Sequence, residues 1–276
     1  MSLLALAVTG RGLVDPGEPV VRADDEALLR GRAAFETLRV YGGRPFRLEA
    51  HLDRLAASAD SIGLPQLERD EVLGLAAIVL LELGDVDAVL RLVWTAGSEE
   101  GPPLGLALLN DVPAWIEATR ARGARAVSLL GVRAAVPWLL PGVKSTSYAV
   151  NMAAEAEAKR RGAEEAVFVD GDGVVLEGTV TNVWWRKGGT LFTPSLDLGI
   201  LAGVTRAALL ELAPSCGYGV EQDAYLLDDL LEADEAFTSS SVREVMPLVE
   251  LDGRPLNRGP AADALQQALR DLAAIV

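Results

Sequence analysis

The sequence predicts a mixed α/β protein, of the α+β kind, in two parts. Three observations carry this. Strand-like and helix-like periodicities alternate along the whole chain. At 276 residues the chain is long enough for one large domain or two smaller ones, each with its own core. A stretch from about Asn110 to Arg125 mixes proline, tryptophan and several arginines between two strand patterns. The boundary is placed there, giving a smaller N-terminal α/β domain at 1–114, an interdomain linker at 115–125 and a larger C-terminal α/β domain at 126–276.

The elements follow in order. The amino end, MSLLALAVTGRGLVDPGEP, reads as a strand and a turn; it has neither the basic start nor the small-residue cleavage site of a secretory signal. RAAFETLRVYGGRPFRL is strand, Gly-Gly turn, strand, which is a hairpin signal. EAHLDRLAASADSIGLP reads as a helix, because Leu52, Leu55, Ala56, Ala59 and Ile62 recur at helical spacing and Gly63 and Pro65 end it. AVLRLVWTAG is a strand. Beyond the boundary, ARAVSLLGV is a strand. The segment PGVKSTSYAVNMAAEAEAKRRG leads into a helix with Ser145 or Thr146 as its N-cap. EAVFVDGDGVVLEG and TNVWWRKGGTLFTP are two further hairpins, AGVTRAALLELA is a helix, and ADEAFTSSSVREVMPLVELDG adds strands before a last helix.

Composition excludes several classes. The net charge of -15 repels a phosphate backbone, and no basic stripe with interleaved aromatics appears, so nucleic acid is not an expected partner. Half the residues are hydrophobic, yet no apolar run reaches the roughly 18 residues of a membrane span, so no membrane partner is expected. One cysteine, Cys216, excludes an intrachain disulfide and a cysteine-based zinc site. One histidine, His51, excludes a two-histidine metal site, and no metal is expected; no G-x-S-x-G elbow supports a serine triad. The reducing cytoplasm is the expected compartment.

Lys144 stands out. It is one of three lysines, with Lys159 and Lys187, against 22 arginines, and no further charge follows it until Glu155. A helix starting at Ser145 or Thr146 would place it at the positive end of the dipole, where the ammonium is disfavoured. A lysine nucleophile needs that, because only the free amine attacks a carbonyl. The ordinary alternative is a solvated surface lysine. Glu177, in LEGTVTNVWW, would suit a protonated heterocyclic nitrogen, or is a half-exposed strand glutamate. Gly203, Val204 and Thr205 open a helix, either as an anion site or as a plain cap. Arg54 of HLDRL would reach a phosphate, or is an exposed helix arginine.

Five blocks in this order, FETLRVYGGRPFRLEAHLDRL, PGVKSTSY, LEGTVTNVWW, GILAGVTRAALLELA and ADEAFTSSSVREVMPL, resemble class IV, fold type IV, pyridoxal-phosphate enzymes. That family holds D-amino-acid aminotransferases, branched-chain aminotransferases, R-selective amine transaminases and aminodeoxychorismate lyase. The resemblance covers nearly the whole chain and implies the two-domain fold type IV architecture, a pyridoxal 5'-phosphate cofactor and a homodimer. It implies that Lys144 bonds the cofactor's aldehyde carbon and shuttles the proton. Glu177 matches the carboxylate at the pyridine nitrogen. Arg54, Val204, Thr205 and Ser241 match the phosphate cradle, Tyr148 the tyrosine at the ring's phenolic oxygen, and Thr181 and Asn182 stand among the cofactor residues.

The reaction is narrower to read. Arg39, Arg91 and Arg243 are the candidates to hold a substrate carboxylate by bidentate hydrogen bonds, with Arg133 a weaker one. Val242 lies beside Arg243 in the same substrate segment. The Arg-x-His carboxylate trap of well-known bacterial D-amino-acid aminotransferases is absent, since that region reads TAGSEEGPPLG. Thr37 matches a threonine thought to assist proton transfer in aminodeoxychorismate lyase, and a basic residue at the Arg91 position also fits that lyase. The expectation is transamination of small-molecule D-amino acids with 2-oxoglutarate or pyruvate. Aminodeoxychorismate lyase, releasing pyruvate and 4-aminobenzoate, stands close behind, with a dual activity open and a branched-chain L-transaminase third.

Overall fold

In the computed structural model, residues 2–99, 101–131 and 136–275 are described. The chain divides into two compact units, one holding Met1–Pro113 with Val143–Tyr148, the other Ala114–Gly142 with Ala149–Ile275.

The first unit runs β1 (Leu3–Val8), β2 (Gly12–Val14), α1 (Glu26–Arg30), β3 (Ala33–Tyr41), β4 (Arg44–Pro45), α2 (Leu48–Ser61), α3 (Arg69–Leu83), β5 (Ala88–Thr95) and β6 (Leu104–Asn110). Its six strands form one antiparallel sheet in the order β2-β1-β6-β5-β3-β4. Period-2 alternation sorts β3 into two faces. Ala34, Leu38 and Val40 join Leu52 and Leu55 of α2 and Leu75 and Val79 of α3 in the core. Phe35, Thr37 and Arg39 take the opposite face, where Thr37 lies directly across from Arg91 of β5.

The second unit runs α4 (Trp115–Arg122), β7 (Ala124–Leu130), α5 (Ala149–Arg160), β8 (Glu165–Val169), β9 (Val175–Gly178), β10 (Asn182–Lys187), β11 (Thr190–Pro194), α6 (Val204–Leu212), β12 (Gly219–Asp223), α7 (Leu227–Leu231), β13 (Glu235–Ser240), β14 (Glu244–Leu251), β15 (Arg254–Pro255) and α8 (Pro260–Ile275). The sheet order is β12-β11-β10-β13-β14-β7-β8-β9, with β15 on β14. It is mixed: β7 runs parallel to both β14 and β8, while β10, β13 and β14 are antiparallel neighbours.

Two expectations need correction. The stretch 115–125, read as a linker, forms α4 and the first residues of β7. Ile116 is buried, and Arg120 ties α4 down by donating from Nε to the Val245 carbonyl at 3.1 Å. The mixed composition that suggested a linker thus serves a packed helix. The helix expected to start at Ser145 or Thr146 begins only at Ala149. The residues before it are taken by the sheet instead. Strand β4 covers β3 only at Val40 and Tyr41, so the outer edge at Ala33–Phe35 is paired by residues 144–146. Phe35 N–H donates to the Lys144 carbonyl at 3.2 Å, and Thr146 N–H to the Ala33 carbonyl at 2.9 Å.

Candidate functional site

In the first unit, Lys144 lies in that extended edge segment rather than at a helix dipole. Its backbone N–H donates to the buried Ser58 hydroxyl at 3.2 Å. Thr146 and Ser147 donate their hydroxyls to the Gly31 carbonyl at 2.9 and 3.1 Å. The lysine Nζ stands 4.5 Å from the centre of the Phe35 ring, and Tyr148 meets the same ring edge-on at 5.4 Å. The Arg91 guanidinium is 5.8 Å from that ring, and its Nε donates to the Thr37 hydroxyl at 3.4 Å. Lys144, Tyr148 and Arg91 therefore gather around one phenylalanine, with Thr37 held by Arg91.

The three arginines considered for a carboxylate differ in their surroundings. Arg39 donates to Asp87 at 3.2 Å and lies over the Tyr41 ring. Arg243, in the second unit, donates to the buried Glu165 at 2.9 Å, approaches Glu155 at 3.8 Å and lies over Trp115. No carboxylate among the described residues pairs with Arg91. Arg133 lies outside the described residues.

Arg54 sits on α2, as its helical spacing implies, but it is not an exposed helix arginine. Its Nε and Nη2 each donate at 2.7 Å to the two oxygens of Glu36, and His51 Nδ1 lies 2.7 Å from the same carboxylate. Glu36 and His51 are both fully buried. Burial pushes the Glu36 carboxyl up, but the Arg54 and His51 hydrogen bonds and charges outweigh it and hold it at about 2. Burial pushes His51 below the usual 6.5, an effect Glu36 opposes and the charges of Arg54 and Lys144 reinforce. Glu36 was not singled out from the sequence. Its signal is a lone acid on the inward face of an apolar strand, followed by two basic side chains three apart on the next helix.

In the second unit, Glu177 ends β9 and is 6% exposed, not half-exposed as the ordinary strand reading has it. Its Oε2 accepts from Leu201 N–H at 3.0 Å, while Asn182 at the start of β10 donates to the Leu201 carbonyl at 3.0 Å. The loop into α6 is thus pinned at one residue from two strands. Gly203 caps α6 with no side chain of its own, and a Cβ there would lie 2.0 Å from Asn182 Oδ1. Val204 and Thr205 form the first turn, both buried, and the Thr205 hydroxyl is 3.4 Å from that of Ser241 in the turn after β13. Val242 is half-buried in the same turn. Thr181 stands just before β10. Its hydroxyl donates to Glu165 at 3.0 Å, as does that of Thr179 at 2.9 Å. Glu165, also missed in the sequence, gathers Thr179, Thr181 and Arg243 into one buried knot.

The second unit's helix start and carboxylate and the first unit's lysine each have a chemistry of their own. A glycine-capped helix start with two hydroxyls offers an anion cradle. A buried carboxylate suits a ring cation, and a lysine amine suits a carbonyl carbon. The chain belongs to the amino-transferase class IV family, whose model matches residues 33–251. Class IV aminotransferases use pyridoxal 5'-phosphate. Over 272 residues the chain is 36% identical to the bifunctional aminodeoxychorismate lyase / D-amino acid transaminase of Mycobacterium tuberculosis (strain ATCC 25618 / H37Rv), covering 92% of this chain and 94% of that one. Among solved structures, the PLP-bound form of a hypothetical aminotransferase from Mycobacterium tuberculosis superposes with a TM-score of 0.90 at 35% identity, covering 98% of both chains. Its alpha-ketoglutarate and PMP bound form matches equally well, again with a TM-score of 0.90, 35% identity and 98% of both chains. The fold is therefore that of the fold type IV aminotransferases.

Proposed function

We propose that the protein is a transaminase of D-amino acids with a 2-oxo acid, 2-oxoglutarate or pyruvate, as amino acceptor. The observation that carries this reading is Arg91, a guanidinium on the ring of Phe35 that also carries Lys144, with no carboxylate partner among the described residues. A guanidinium without a carboxylate partner among the described residues, on the ring that Lys144 also meets, suits a small substrate carboxylate bound by parallel N–H···O bonds. The bifunctional relative and the alpha-ketoglutarate bound structure of a related aminotransferase support the substrate class.

The residues divide the work as follows. When bound, the cofactor supplies an electrophilic carbon and a ring that absorbs electrons from the substrate carbon. Lys144 Nζ would hold it at that carbon, and its free amine would carry the substrate proton. Glu177 holds positive charge on the ring nitrogen. By the family resemblance, Thr205, Ser241 and the α6 amides at Val204 and Thr205 in the second unit would be phosphate donors, and Arg54 in the first unit would be a phosphate arginine. Asn182 shapes the loop into α6, and Tyr148 bonds the ring's phenolic oxygen. Arg91 orients the substrate.

A second reading has a specific observation behind it. Thr37 touches Arg91, and a threonine hydroxyl there would protonate a leaving enol, as a lyase acting on aminodeoxychorismate needs. We propose the transaminase as the main activity and the lyase as the alternative, in a cytoplasmic homodimer. The test mixes the loaded protein separately with D-alanine, D-glutamate, L-leucine and aminodeoxychorismate in a stopped-flow spectrometer. Rapid bleaching of the visible cofactor band by a D-amino acid is expected. No change over minutes, with fast pyruvate release from aminodeoxychorismate, leaves the lyase.

A further inference from the structure

The trio of Glu36, His51 and Arg54 has a division of labour that the reaction chemistry does not require. Glu36 lies on the core face of β3, among Ala34, Leu38, Leu52 and Leu55. A carboxylate in that setting is tolerated only when paired and hydrogen-bonded. Its two oxygens accept Nε and Nη2 of Arg54 in a fork, both at 2.7 Å, and His51 Nδ1 reaches Oε2 at 2.7 Å. Because the carboxylate is ionised, the ring nitrogen facing it carries the hydrogen and donates. The helix spacing makes this possible. His51, Arg54 and Ser58 stand three and four residues apart on α2, so one stripe of the helix holds Glu36 and, through the Ser58 hydroxyl, the backbone of Lys144.

We propose that Glu36 and His51 are positioning residues for the cofactor phosphate: they lock the plane of the Arg54 guanidinium before any anion binds. The inference rests on the phosphate role given to Arg54 above. An arginine loses rotamer freedom when it is fixed, and two bonds to a rigid buried carboxylate remove that freedom during folding rather than during binding. The sign of the effect separates this from simple electrostatics. If charge alone mattered, neutralising Glu36 would raise the local positive potential and strengthen phosphate binding. If positioning matters, the same change weakens it, because Arg54 loses its fixed orientation.

The experiment measures binding of pyridoxal 5'-phosphate and of pyridoxal to the apo protein, and takes the ratio as the phosphate-specific preference. Four proteins are compared: wild type, Arg54→Gln, Glu36→Gln and His51→Gln, each checked for native circular dichroism. Glu36→Gln is expected to lower the preference on the order of tenfold, the equivalent of one lost hydrogen bond. His51→Gln, which keeps a donor toward Glu36, should lower it less and in the same direction. Pyridoxal binding should change little in both. An unchanged or raised preference in folded Glu36→Gln, alongside a lowered one in Arg54→Gln, overturns the positioning role alone. An unchanged preference in Arg54→Gln overturns the phosphate assignment beneath it. Should Glu36→Gln not fold, His51→Gln decides, and an unchanged preference there sinks the proposal.

Discussion

Arg91, within β5, and Arg243, in the turn after β13, look equivalent as letters, and their surroundings make opposite predictions. Neutralising Arg91 as Arg91→Gln should weaken amino-acid binding by ~1.5–3 kcal/mol with little change in stability, since no carboxylate among the described residues loses a partner. Arg243→Gln leaves Glu165, 3% exposed, without its cation. Breaking a buried pair from one side costs about 3–5 kcal/mol, so urea denaturation should register that change most clearly. Equal binding losses in both variants, with equal stability, would contradict the assignment. Glu36 gives a pH prediction. Its folded value of about 2 lies below its ordinary 4.5, so its contribution is present above pH 4.5 and is lost as pH falls toward 2. The shift corresponds to about 3 kcal/mol. His51 is also held below its ordinary value, so the unfolded chain takes up its proton first and stability begins to fall as pH drops below 6.5. Unfolding free energy measured from pH 7 to pH 3 should fall in wild type, and the steep part below pH 4.5 should be smaller in Glu36→Gln.

At the scale of elements, the segment 143–148 decides where Lys144 stands. Its hydroxyls do not cap a helix; they bond the backbone around Gly31 and Ala33. Gly31 has φ of 66°, and a Cβ on it would meet Ser147 Oγ at 2.8 Å and the Ser147 Cα and N at 3.0 Å. Both the left-handed backbone and the close approach therefore demand glycine. Gly31→Ala is expected to cost about 1–3 kcal/mol in stability and to slow attachment of the cofactor to Lys144. Borohydride reduction followed by peptide mapping would read out the second effect. Wild-type stability and attachment rate would mean that the segment tolerates the shift. Much of this element-level picture was legible: the hairpins, α2 with its end at Gly63, and α6 opening at Gly203 all follow from period and turn chemistry. The late start of α5 was not, because Ser and Thr serve equally as N-caps and as strand residues. Only an unpaired edge on β3, set by distant parts of the chain, chooses between them.

For the whole molecule, the second unit leaves Trp138 77% exposed, with Leu139, Leu140, Val150 and Met152 also exposed, five large apolar side chains within fifteen residues of sequence. Such a group favours association over solvation. The protein should elute with twice its 29.1 kDa chain mass in light-scattering chromatography, and Trp138→Asp should shift it toward the monomer. A wild-type monomer at micromolar concentration would remove the homodimer from the proposal.

The sequence by itself determined the family, the mixed α/β class and the main hairpins, and it singled out Lys144. Short blocks such as PGVKSTSY and LEGTVTNVWW are local, and local residue order is all that a motif or a helical period requires. It also limited the chemistry, since one histidine and one cysteine leave few ways to build a metal or thiol site. The tertiary structure alone decided which charges are paired. Glu36 meets Arg54 from 18 residues away, and Arg243 meets Glu165 across 78. Nothing in the neighbouring letters distinguishes those arginines from Arg91. A charge takes its function from what is buried against it, and burial is settled by strands and helices that come together only when the chain has folded.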